Sequence, residues 1–157
     1  MGRRTGKADT IVRFRNGVKR YIVTALDLES EFAFAYAYSS HTSKAAADFM
    51  ALFKSVAPLA LEDVQTDNGS EFACHFDGYL DRQGIIHFHA YPRSPKMNAE
   101  IERFNRTLSD RRHRPSATIP SALRIAQKSH RRTHHEPAVD FLASVVILYR
   151  INLSVSF

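Results

Sequence analysis

The chain has 157 residues, a 44% apolar fraction and a formal net charge of +6. That length argues for one domain with an ordinary core, and the charge favours a polyanionic partner such as nucleic acid. Its single cysteine, Cys74, excludes an internal disulfide and fits a reducing cytosol. The N-terminal residues are basic but lack an apolar stretch, so no signal peptide is expected, and the run Phe141 to Tyr149 falls well short of the ~18 residues of a membrane span.

In chain order, residues 9–15 and 18–27 read as strands joined at Asn16-Gly17, a pair that suits a tight hairpin turn. A third strand follows at Phe32–Tyr38, where aromatics alternate with Ala. Thr42 or Ser43 can cap the next helix, whose stripe is Ala46, Phe49, Met50, Phe53 and Val56, with Pro58 as its stop. A short strand at Asp63–Thr66 leads into a turn at Asn68-Gly69. Ser70 can then cap a helix carrying Phe72, Phe76 and Tyr79-Leu80, ending at Gly84. Ile85–His89 reads as a fifth strand and 91–95 as a loop, with Pro95 outside any helix. The last clear helix runs from about Met97 to Leu108 and buries Met97, Ile101, Phe104 and Leu108. Three hairpin-linked strands followed by alternating helices and strands give an α/β domain with a mixed sheet covered by helices.

From Ser109 the composition changes. The last 49 residues hold eight Arg or Lys and four His against three acids, and Pro115, Pro120 and Pro137 interrupt any long helix. Residues 121–132 read as a short basic helix and 138–157 as apolar and strand-like. The expected division is therefore a basic extension (1–8), a core (9–108) and a basic, then apolar, tail (109–157).

Three carboxylates stand out. Asp9 lies in one strand, Asp67 at the end of another, and Glu102 on a helix. Carboxylates so distributed can converge and hold a pair of divalent cations, the arrangement that cuts and rejoins phosphodiesters. Positions i, i+3 and i+4 share a helix face, so Asn98, Glu102, Asn105 and Arg106 line up, while Glu100 lies off that face and is expected to be solvated. Each acid also has an ordinary reading. Asp67 suits a turn, Glu102 suits a surface pair with Arg106, and Asp9 suits a solvated terminus. Oxygen ligands point to Mg²⁺ or Mn²⁺. His87 and His89 alternate on a strand, and His134-His135 are adjacent. Neither pair has companions at zinc-finger spacing, so both read as structural or surface residues.

The text of residues 9–108, about two thirds of the chain, closely resembles the catalytic core of DDE transposases and retroviral-type integrases, especially bacterial insertion-sequence transposases. The resemblance rests on Ala8-Asp9-Thr10-Ile11, on Lys19 to Asp27, and on Gln65-Thr66-Asp67-Asn68-Gly69-Ser70-Glu71-Phe72. It continues through Tyr91-Pro92-Arg93-Ser94-Pro95-Lys96-Met97-Asn98 to Ile101-Glu102-Arg103-Phe104-Asn105-Arg106-Thr107-Leu108, with Glu102 following Asp67 by 35 positions.

The resemblance implies an RNase H-like fold with a central five-stranded mixed sheet flanked by helices. It implies a metal-binding catalytic triad of Asp9, Asp67 and Glu102, with two Mg²⁺ or Mn²⁺ ions. DNA backbone contacts would come from Lys96, Asn98, Asn105 and Arg106. The implied partners are transposon ends and target DNA, with a homo-oligomer in the active form, no membrane, and a place in the bacterial cytoplasm with the nucleoid. Asp27, at the end of the second strand, competes with Asp9 for the first carboxylate.

Both ends depart from the family pattern. Only eight residues precede Asp9, where the family carries a helix-turn-helix region, and the first strand is expected to fray there. After Leu108 the match stops at Ser109-Asp110-Arg111-Arg112, as a shifted reading frame would produce. Three functions therefore compete: a strand-transfer enzyme, an inactive remnant that binds nucleic acid through charge alone, and an RNase H-type nuclease on the same fold.

Overall fold

A computed structural model of the chain describes residues 4–15, 17–30, 32–57, 60–90, 95–109 and 149–150. Strands β1 (Thr5–Arg15) and β2 (Val18–Asp27) form the expected antiparallel hairpin, from Gly6 opposite Asp27 to Arg15 opposite Val18. Gly17 sits at the turn with φ of 76°, the positive value such a turn demands. β3 (Phe32–Tyr38) pairs antiparallel with β2. Helix α1 (Ser43–Val56) carries the chain across to β4 (Asp63–Thr66), which lies parallel to β1. Helix α2 (His75–Gln83) leads to β5 (Ile86–His89), parallel to β4. Helix α3 (Pro95–Ser109) follows. A two-residue strand, β6 (Tyr149–Arg150), pairs with β3, so the full order is β5-β4-β1-β2-β3-β6. The five expected strands are present and mixed in direction.

Some local expectations change. β1 begins at Thr5, inside the segment read as an extension, because residues 5–7 pair with β4 and residues 6–7 also pair with β2. Lys7 and Ala8 are accordingly buried. Thr42 is the cap of α1, its Oγ1 accepting from Ala45 N at 3.2 Å. The helix expected from Ser70 is broken in two. Ser70–Phe72 form a 3₁₀ turn, and α2 starts only at His75 because Cys74 takes a left-handed φ of 48°. Pro95 opens α3 rather than preceding it, which the first turn permits because its missing N–H would have no partner there. Expectations placed on Asn16, Pro58, the 91–94 loop, and residues 110–148 and 151–157 lie outside the described residues.

Side chains alternate between the two faces of a sheet. One face carries Ala8, Val23, Ala25, Phe34 and Val64, packed under Phe49, Met50 and Phe53 of α1 and Phe76 and Leu80 of α2. The other carries Leu26, Ala33 and Ala35 under Phe104 of α3, with Ile22 and Leu108 at the margin. Among the described residues no helix is long and apolar enough to cross a membrane.

Candidate metal centre

Alternation along β1 puts Lys7 and Asp9 on the α3 face. Lys7 is the parallel partner of Gln65 on β4. Two residues further along each strand, Asp9 comes level with Asp67, just past the end of β4. Asp9 Oδ1 accepts from Thr10 N and its Oδ2 from Asn105 Nδ2, both at 2.7 Å. Burial pushes the Asp9 carboxyl above its ordinary value. The charges of Asp67 and Glu71 push the same way, against the Thr10 and Asn105 donors.

Asp67 Oδ1 accepts from Gly69 N at 2.9 Å, so its turn role is real. A Cβ added at Gly69 would stand 2.9 Å from Asp67 Oδ1 and would also strike the Glu71 carboxylate. Glycine therefore leaves room for two carboxylates to approach one point. Glu71 is itself buried, and His41 Nε2 lies 2.9 Å from its Oε1. The His41 ring stacks on Tyr21 at 4.9 Å. Glu71 and His41 were not anticipated as site residues. The only signal was the position of Glu71 inside the Asp67–Phe72 segment.

Helix α3 reaches this site through polar contacts. Asn105, expected as a DNA contact, is turned inward onto Asp9 and is buried, where its amide holds a carboxylate. Glu100 is not simply solvated. It pairs with buried Lys7 at 2.7 Å. Burial would raise its pKa, but the Lys7 hydrogen bond and the Lys7 and Arg103 charges bring it below the ordinary value. Glu102 is exposed, one turn before Asn105 on the same side of α3, and Arg106 is exposed beside it. The side chains of Lys96 and Asn98 lie outside the described residues. Asp27 is fully buried on the opposite face, where its oxygens accept from Glu29 N (3.1 Å) and Ser30 Oγ (2.5 Å) and close the β2–β3 turn.

The structure therefore brings Asp9, Asp67 and Glu71 into one electrostatic unit and presents Glu102 on the adjoining helix. Oxygen donors of this kind hold hard divalent cations. On the other face a companion appears for the two strand histidines. Asp77 of α2 lies with His87 and His89, one ligand atom from each falling within 4.8 Å of the others.

No family model matches the chain. A protein named "Putative integrase ORF3", from Spiroplasma virus SpV1-C74, is 27% identical, over 59% of this chain and 30% of its own length. A chain in the cryo-EM structure of the simian T-cell lymphotropic virus intasome, in complex with PP2A regulatory subunit B56 gamma, matches with a TM-score of 0.59 and 18% identity. The match covers 89% of this chain and 51% of that one. The fold is RNase H-like. The chain spans about half or less of the length of the integrase-named relative and of the intasome chain that it resembles.

Proposed function

We propose that the chain is the catalytic domain of a DNA integration or transposition enzyme, with Asp9, Asp67 and Glu102 as ligands for two Mg²⁺ or Mn²⁺ ions. The observation that carries this reading is the pairing of Asp9 with Asp67 across β1 and β4, with α3 tied to Asp9 through Asn105. Asp67 and Glu71 set their charges against Asp9, itself raised by burial, and a divalent cation would neutralise such a group. When bound, such a pair of ions activates the attacking oxygen and stabilises the leaving one in phosphodiester cleavage and 3′-OH strand transfer.

The chain's own residues set the geometry. Thr10 N and Asn105 orient Asp9, Gly69 orients Asp67, and the Lys7–Glu100 pair fixes the helix that presents Glu102. Lys96, Asn98 and Arg106 would bind DNA backbone, and transposon ends and target DNA would be the partners of a homo-oligomer. The test is nicking of supercoiled DNA with Mg²⁺ or Mn²⁺. We expect cleavage by the wild type and none by Asp67→Asn. DNA retention without cleavage by either protein supports charge-driven binding alone, and preferential cutting of RNA–DNA hybrids supports an RNase H-type nuclease.

A further inference from the structure

His87 and His89 occupy alternate positions on β5, the strand at one edge of the sheet, and therefore share a face. Register decides which. His87 stands opposite Val64 and His89 opposite Thr66, so both look toward α2 and away from Asp9 and Asp67. The two rings are 4.3 Å apart, and Phe76 packs edge-on against His87 at 5.2 Å. Asp77, the next residue on α2, contacts His87 Nδ1.

The hydrogen bonds are compatible with a metal-binding tautomer of each ring. With the Thr66 hydroxyl donating to the Asp67 carbonyl at 2.9 Å, its oxygen can accept from His87 Nε2 at 2.8 Å. The His87 proton is then on Nε2, and the Nδ1 lone pair faces a carboxylate oxygen. Two electron-rich atoms at contact distance share a proton as they stand, and a small separation would let them share a metal ion instead. His89 Nδ1 lies 3.3 Å from the Asp67 carbonyl, which can only accept. That places its proton on Nδ1 and leaves Nε2 to ligate. Metal-binding histidines characteristically donate their second ring N–H to an oxygen in this way.

We infer that Asp77, His87 and His89 bind one first-row transition cation of the zinc class, on the face opposite the carboxylates. Two imidazoles and a carboxylate are the donor set such ions prefer over Mg²⁺. Tetrahedral zinc holds its ligand atoms about 3.4 Å apart, given bonds of about 2.0–2.1 Å. The observed spread of up to 4.8 Å would close to that value by rotation of the exposed His89 side chain, and the Asp77–His87 contact would open to it by rotation of the half-exposed Asp77 side chain. Three protein ligands leave a fourth position for water or a partner group. The ion would pin α2 to the sheet edge. Through Thr66 and His89 it would also steady the backbone carbonyl of Asp67. The site does not depend on what the carboxylates do.

The test is titration of the full chain, stripped with EDTA, with Co²⁺ in the presence of excess Mg²⁺ that occupies oxygen-only sites. We expect one equivalent of Co²⁺ to bind with visible d–d absorption, and equimolar Zn²⁺ to displace it and raise Tm. His89→Ala and Asp77→Asn alter side chains that are exposed or half-exposed, so both should fold, as circular dichroism will verify. Each should weaken Co²⁺ binding at least about 100-fold, since loss of an outer-shell partner already costs about 10–100-fold. Asp67→Asn should bind Co²⁺ normally. Absence of Co²⁺ absorption in the wild type would overturn the site and leave a plain His87–Asp77 hydrogen bond. Absorption that survives both His89→Ala and Asp77→Asn, or that disappears only in Asp67→Asn, would overturn it equally.

Discussion

The two faces of the sheet are built on different physics. Under α1 and α2 lies a dense aromatic core in which Phe34 stacks on Phe49 at 5.4 Å and Phe72 meets Phe76 at 5.1 Å. Under α3 the apolar contact shrinks to Leu26, Ala33, Ala35 and Phe104. There the helix is also held by Lys7–Glu100 and Asn105–Asp9. Apolar packing is strong and non-directional, whereas paired polar groups fix register and orientation. One face thus supplies stability, and the other spends some of it on aiming a helix at charged side chains.

The largest expected effect separates the faces by stability. Phe34→Ala, in the dense core, should cost about 3–5 kcal/mol in urea denaturation, and Phe104→Ala should cost less because α3 can settle over the smaller Ala33 and Ala35. Equal costs would erase the distinction. Lys7→Met comes next. It leaves Glu100 without its main partner, but Glu100 is partly open to water, so the loss should be about 1–2 kcal/mol rather than that of a fully buried pair. Nicking should fall by more than that stability loss explains, because the helix carrying Glu102 is no longer tethered.

A third effect concerns pH. The folded pKa of Asp9 is raised, so its contribution is fully present below the unfolded carboxylate value of about 3.9 and is lost as pH rises through the raised value. Melts of the metal-free protein should therefore show a loss of stability across the weakly acidic range. Mg²⁺ should raise Tm at neutral pH and do little where Asp9 is protonated, so a pH-independent Mg²⁺ effect would contradict the pairing. Asp67→Asn removes one repelling charge and should reduce this loss, by under about 1 kcal/mol because Asp67 is exposed. The smallest effect is at the hairpin tip. Phe14 is 72% exposed, and Phe14→Ser should change stability by no more than about 0.5 kcal/mol.

Several of these features were readable from local pattern. Alternation of aromatics and Ala at Phe32–Tyr38 marked β3, the Ala46–Phe53 stripe marked the buried side of α1, and the turn at Gly17 marked the hairpin. The stripe of Ile101, Phe104 and Leu108 likewise separated the buried side of α3 from the side bearing Glu102. Period alone settles such matters, because it states where a side chain points relative to its own strand or helix.

What lies opposite that side chain is another question, and only the tertiary structure answered it. The parallel register of β1 with β4 set Asp9 level with Asp67 and buried Lys7, and the docking of α3 turned Asn105 onto Asp9 and Glu100 onto Lys7. The α2 crossover carried Asp77 to histidines that showed no companion at motif spacing. The helix expected from Ser70 breaks at Cys74, and the separate 3₁₀ turn before it carries Glu71 close to Asp67. In each case the partners come from different elements, and their meeting depends on strand order and crossover path, quantities that no repeat within one element encodes.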